Sequence, residues 1–260
     1  FYGDGAGIGS GYNGNMSGSI TIDENAKVNA FSQEDGAGIG SGEDGNMSGS
    51  ITISGNAQVT AGSGWDGAGI GAGESDDDPP KSEMSGTITI GGNAKVTAWS
   101  EDSGAGIGAG EDGDVSGTIT IGGSAQVTAG SDDDGAGIGA GTYGSITSTG
   151  RIILRDSAKV TAIGEDEGTG IGAGDDGHMA GLIIIQDNAQ VTAIAGDRAA
   201  AIGSDNRNEM TGTIFIIGNA RVTTGILDND AVDFDYNTKE IIYTLDENAT
   251  GYIGDSKYSN

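Results

Sequence analysis

Carboxylates recur along this 260-residue chain at intervals that would stack them on shared edges. One series runs Asp4, Asp35, Asp66, Asp134 and Glu167, with Ser103 and Arg198 in the remaining places. A second runs Glu43-Asp44, Glu74, Glu111-Asp112 and Asp175-Asp176, and Asp76-Asp77-Asp78 extends it. Carboxylates about 4.8 Å apart repel unless they splay into water or are bridged by a hard cation such as calcium. The candidate metal ligands are therefore Asp35, Asp66, Glu43, Asp44, Glu111 and Asp112. No cofactor is required, and calcium is the one the pattern could accommodate. The sequence has neither an EF-hand loop nor the G-G-x-G-x-D calcium repeat, so a solvated acidic edge is the competing reading.

Three aromatic residues, Phe31, Trp65 and Trp99, fall in the short loops of successive repeats and are the candidate ligand-binding residues. Exposed rings on a rigid surface can stack on sugar while carboxylates and amides bind the hydroxyls; partial packing over a corner is the alternative. Catalysis has little to build on. His178 is the one histidine, and other repeats place Asn15, Asn46 and Asp114 at its position. Serine–histidine and histidine–metal sites lack their partners. Carboxylates with Arg151, Arg155, Arg198 and Arg207 could suit a polysaccharide lyase or hydrolase, but no single repeat concentrates acid, base and groove. The expectation is a protein that is not an enzyme, with no catalytic residues.

The elements that position these groups come from a repeat. D-G-A-G-I-G-S-G at Asp4 to Gly11 returns with its isoleucine at Ile8, Ile39, Ile70, Ile107, Ile138, Ile171 and Ile202. The spacings are 31, 31, 37, 31, 33 and 31 residues, a period that marks a solenoid, propeller or array. Each repeat also holds G-[ST]-I-T-I and [NS]-A-[KQR]-V-T-A, whose period-two alternation and β-branched residues predict strands. The spacing of a helix is absent, and a propeller blade would need four strands and a longer repeat. The predicted fold is all-β: a right-handed parallel β-helix, or β-solenoid, of about seven coils of ~31 residues with three short strands each. Residues 1–225 form the repeat region. Residues 226–260 read as a degenerate eighth coil and C-terminal cap, with Leu245 to Ala249 echoing Ile22 to Ala26.

Equivalent residues stack in such a rod, so columns carry the information. Ala26 to Ala220 and Val28 to Val222 should point inward with the paired isoleucines, and the methionines should fill a corner. Outward, Lys27, Gln58, Lys95, Gln126, Lys159, Gln190 and Arg221 alternate, which relieves like-charge stacking or else forms an anion-binding row. A threonine column gives way to Ile153, Ile184 and Phe215, an apolar patch that marks an interface and that the cap should cover. With Ala6, Ile8 and Ser10 inward, Gly5, Gly7, Gly9 and Gly11 would make an outer wall without side chains. That wall could serve lateral self-association, or glycine could simply permit a tight coil.

With 11 Lys+Arg against 39 Asp+Glu, the net charge is -28. Nucleic acid and anionic membranes are repelled, and no apolar run is long enough to span a bilayer. The chain has no cysteine, so disulfides and thiolate sites play no part. It opens in mid-repeat and reads as a piece of a longer protein. The pattern G-A-G-I-G-[SA]-G…G-S-I-T-I…N-A-[KQ]-V-T-A resembles the repeats of large surface proteins of Gram-positive gut bacteria. The resemblance implies a modular, secreted, extracellular β-helix at the bacterial cell surface, with a glycan-binding or adhesive role. The implied partners are a glycan, or a host surface or secreted protein such as a glycoprotein or immunoglobulin. A passive stalk is the third possibility.

Overall fold

The computed structural model describes residues 3–76, 82–204, 210–235, 240–245 and 253–254. They form strands and turns, with three stacks of parallel strands running along one axis. The glycine face stacks eight two-residue strands, from Ile8–Gly9 through Ile39–Gly40 to Ile202–Gly203 and Ile253–Gly254. The isoleucine face stacks seven, from Ser19–Ile22 to Thr213–Ile216. The valine face begins at Lys27–Phe31 and ends at Arg221–Asp235, against which Glu240–Leu245 pairs antiparallel. Partners within the repeats are identical positions of neighbouring coils, such as Ile39 with Ile70, Ile51 with Ile88 and Val59 with Val96. The chain is a parallel β-solenoid of about seven turns. No helix among the described residues is long and apolar enough to cross a membrane.

The interior is one continuous cluster. Ile39, Met47, Ile51, Ile53, Ala57 and Ala61 have no exposed surface, and neither do their counterparts in the following coils as far as Met179, Ile183, Ile185, Ala189 and Ala193. In the last coil the row opens, and Ile216 is 42 % exposed. Strand alternation places Ile51 and Ile53 inside and Ser50 and Thr52 outside. The methionine column forms a fourth, shorter ladder between the glycine and isoleucine faces. Met16, Met47 and Met84 bridge in parallel, Val115 pairs with Met84, and Ile146 links Val115 to Met179. The corner is therefore paired backbone as well as filler.

The glycines decide how closely coils approach. From Gly9 to Gly203 the glycine of each I-G pair has φ between 143° and 152°, a region that L side chains rarely adopt. A Cβ on Gly40 would strike the carbonyl oxygen of Gly71, and one on Gly71 that of Gly108. Two residues earlier, a Cβ on Gly69 would lie 2.6 Å from both the Gly106 oxygen and the Trp99 nitrogen. Ala37, Ile39 and Ser41 do face inward with no exposed surface. The expected outer wall is not there, however: Gly36, Gly38, Gly40 and Gly42 are themselves buried, as are their equivalents in the following coils. The valine strand runs long enough for its end to press on the glycine strand, and only hydrogen fits between the two backbones. Among the described residues the inner coils thus offer no free glycine surface to a second rod.

The C-terminal segment also departs from expectation. It covers the outer side of the valine face, where Ile241 joins Ile163, Ile194 and Leu227 in a second small core. Ile153, Ile184 and Phe215 pair in register on the isoleucine face, and Phe215 stays 49 % exposed. The reason is a second apolar column: Ile163 and Ile194 point outward on the valine face and draw the hairpin there. An eighth rung exists at Ile253–Gly254, which pairs with Ile202–Gly203. The turn at 236–239 and the echo over 246–249 lie outside the described residues.

Replacing Gly108 by alanine should destabilise the rod by about 3 kcal/mol or more, through backbone strain and a backbone clash. Gly91 has ordinary φ and open space where its Cβ would stand, so Gly91→Ala should change stability by less than about 0.5 kcal/mol. Thermal melts of the two variants check this; equal midpoints would contradict it.

Candidate functional site

The valine strand, its following loop and the glycine strand meet at one edge of each coil, and most candidate residues lie there. A buried serine column ties the edge together. Ser32 Oγ donates to the Gly3 and Gly5 carbonyls at 2.9 and 3.0 Å, Ser63 to Glu34 at 2.7 Å, and Ser100 to Trp65 at 2.7 Å. Each hydroxyl thereby fixes the loop of the preceding coil. These serines are absent from the candidate residues named above, although their recurrence ahead of each loop, at Ser32, Ser63, Ser100 and Ser131, is visible in the sequence.

The first carboxylate series has a local structural role. Asp35 Oδ1 accepts the Asp66 N–H at 3.3 Å, Asp66 Oδ1 the Ser103 N–H at 3.0 Å, and Asp134 Oδ1 the Glu167 N–H at 2.9 Å. Each caps a loop amide one coil further on, which is why a short acidic side chain recurs there. The second series faces the first, because Glu43, Glu74 and Glu111 donate their backbone N–H to the Asp4, Asp35 and Asp66 carbonyls at 2.9 Å. Carboxylate oxygens of Asp4, Asp35 and Glu43 consequently lie within 4.8 Å of one another. So do those of Asp35, Asp66 and Glu74, of Glu43, Asp44 and Asp76, and of Asp133, Asp134 and Asp166.

Of the predicted metal ligands, the structure gathers Asp35, Asp66, Glu43 and Asp44 into such groups. It does not bring Glu111 and Asp112 into one among the described residues. Asp112, like Asp44, holds a turn position, with φ of 55° against 57°. Glu74, Asp76 and the group at Asp133 belong with the ligand candidates on geometry; the run Asp132-Asp133-Asp134 was its signal. All-oxygen groups of this kind suit calcium over softer metals.

Without a cation, protons relieve the crowding. Burial raises Glu43 to about 7, helped by the charges of Asp35, Asp4, Asp76 and Asp44. Burial and the Asp66 carboxylate raise Glu111 to about 8, and burial and a hydrogen bond with Asp35 raise Glu74 to about 10. Asp133 rises to about 7 through burial and its contact with Asp102. Glu74 is therefore protonated at neutral pH, and Glu111 largely so.

The aromatic candidates separate. Phe31 and Trp99 occupy the same strand position two coils apart, with Gly62 between them. The Trp99 ring lies over Gly62, where a Cβ would come within 2.5 Å of it, and its centroid is 5.1 Å from that of Phe31. Trp99 is only 3 % exposed, so it packs over the corner and does not stand free to stack. Trp65, in the loop, is 53 % exposed. A depression of about 370 Å³ is lined by Phe31, Ser32, Gln33, Ser63, Gly64, Trp99 and Glu101. His178 stands apart from it, its Nε2 3.0 Å from the Thr211 hydroxyl.

These pKa values set a pH dependence with a definite sign. The folded state holds protons that the unfolded chain releases near the ordinary glutamate value, so stability falls as pH rises through the raised values. Between about pH 5 and about pH 8 the melting temperature should drop, each group contributing on the order of 1 kcal/mol after solvent screening. Glu43→Gln with Glu111→Gln should flatten that slope. A melting temperature that holds or climbs over this range would contradict the raised values.

A family model described as the beta helix repeat matches residues 20–43, 51–74 and 88–111. Each match opens on the isoleucine strand, crosses the valine and glycine strands, and closes on Glu43, Glu74 or Glu111. Searches of curated proteins and of solved structures gave no match. The three matches and the stacked parallel sheets together make the chain a parallel β-helix repeat protein.

Proposed function

We propose that this chain is a non-catalytic binding segment of a secreted bacterial surface protein, acting outside the cell and recognising glycan. The depression at the loop edge supports this reading. Its floor is the Phe31–Trp99 pair, its rim carries the amide of Gln33 and the carboxylate of Glu101, and Trp65 follows Gly64 of its wall. An apolar plate bordered by hydrogen-bonding groups is what a sugar ring needs: stacking on one face, with hydroxyls held at the perimeter. Trp99 is buried and serves as the floor, which leaves Trp65 as the ring free to stack. The coils hold these groups in place before binding, which reduces the ordering entropy lost on association.

The apolar stripe on the isoleucine face favours a second reading, a host protein or immunoglobulin partner. Phe215 and Ile217 are 49 % and 50 % exposed there, and exposed apolar surface of this kind marks contact sites.

On a glycan array, Trp65→Ala and Gln33→Ala should each lower binding by about tenfold or more while leaving the melting temperature unchanged. Capture from mucosal secretions that survives deglycosylation and is lost in Phe215→Asp would replace the glycan reading with the protein one. Binding in neither assay would leave a stalk.

A further inference from the structure

The outward side of the valine face repeats every two coils, not every one. Lys27, Gln58, Lys95, Gln126, Lys159, Gln190 and Arg221 stand in register, all exposed. Four residues further along the same strands the order is Phe31, Gly62, Trp99, Gly130, Ile163. Through the fifth coil a cation therefore shares its strand with a large apolar side chain, and a glutamine shares its strand with glycine. Relief of like-charge stacking explains why glutamine separates the lysines. It does not explain why the large residue keeps step with the cation. The pattern ends at Ile194, where the hairpin residues Leu227 and Ile241 cover the column.

The charge on this face is also set apart. The chain has 39 Asp+Glu against 11 Lys+Arg, yet the outward positions from Lys27 to Ile194 on these strands include no carboxylate. Lys27, Lys95, Lys159 and Arg221 form no ion pair among the described residues; the pairs there are Arg155–Asp156 and Arg198–Glu167. Half-buried threonines, Thr60, Thr97, Thr128 and Thr161, line the strip between the cations and the apolar column. Lys95, Thr97, Gln126, Thr128 and Thr161 border a groove of about 390 Å³ whose far wall is Ile241.

We infer that this face binds an acidic polysaccharide laid along the rod axis, with one carboxylate for every two sugar rings. The inference rests on the glycan reading and names the class of glycan. Two rungs of a parallel sheet span about 9.6 Å, comparable to two linked pyranose rings in an extended chain. Each two-coil unit then offers a cation for the carboxylate and threonines for hydroxyls, and the first adds the half-buried Phe31 ring as an apolar plate. Nucleic acid fits poorly, with a phosphate about every 3.4 Å along a strand. The acidic edge lies at the loop corner, and salt screens charges beyond about 8 Å at physiological strength, so a sparse polyanion can reach the lysines.

The test is titration with hyaluronan, an alternating uronate–hexosamine polymer, and with the same polymer after its carboxylates are reduced to alcohols. Native protein should bind the first about tenfold more tightly than the second. Lys95→Gln with Lys159→Gln should abolish that difference and weaken the salt dependence, with an unchanged melting temperature because both side chains are exposed. Equal affinity for the two polymers would overturn the acidic-glycan inference and leave glycan binding standing. Binding of neutral array glycans with no binding of either polymer would do the same. Tighter binding of single-stranded nucleic acid than of hyaluronan would overturn it in favour of a different polyanion. Silence toward every glycan would remove both readings.

Discussion

A glycine held near φ 145° against the carbonyl of the same glycine one coil away is the contact on which this rod depends. Any other L residue would carry a Cβ into that carbonyl. The contact recurs in every coil from Ile8–Gly9 to Ile202–Gly203, and it fixes both the approach of the coils and their register. A slip by one residue would put Ile39 where Gly40 must be, so the glycine column works against misalignment as strongly as the apolar interior works for alignment. The interior then follows: Ile51 over Ile88 and Val59 over Val96, each strand burying alternate residues.

Identical register has a consequence for polar residues, because like must stand on like. The structure handles this differently at each edge. Asparagines form an exposed amide ladder, Asn93 donating to Asn56 at 3.2 Å and Asn56 to Asn25 at 3.3 Å. Aspartates in the loops cap the amide of the next coil, which gives each a favourable partner before repulsion between neighbours is counted. The facing glutamates meet those aspartates instead, and burial with the neighbouring charges raises the pKa values of Glu43, Glu74 and Glu111. The valine face avoids the problem by alternation, lysine against glutamine and large against glycine. Function, on this account, is placed where the repeat is modified without breaking the stack.

Much of the architecture was legible because its causes are local and repeated. The isoleucine, valine and alanine columns follow from period-two alternation, and the coil length from the spacing of Ile8, Ile39 and Ile70. The acidic edge was legible as a location but not as a ligand set. Which of Asp44, Glu74 or Glu111 meets which neighbour depends on turn geometry, and positive φ at Asp44 and Asp112 is invisible in composition. The aromatic row was legible as a location, but the exposure of each ring was not: whether Trp99 stands out or lies down depends on the residue one coil away, and Gly62 gave it room. The hairpin was sent to the wrong face because Ile163 and Ile194 sit in a column that begins with Phe31 and Gly62 and shows no uniform apolar character.

Distance measurement between spin labels tests the stacked architecture most directly, and the absence of cysteine in the chain makes labelling site-specific. Gln58 and Gln190 lie in one exposed column, separated by Lys95, Gln126 and Lys159. With cysteines at these two positions, four rungs of a parallel sheet predict a backbone separation of about 19 Å. A narrow distribution near that value would support the account, and a broad one, or a distance beyond about 30 Å, would contradict it.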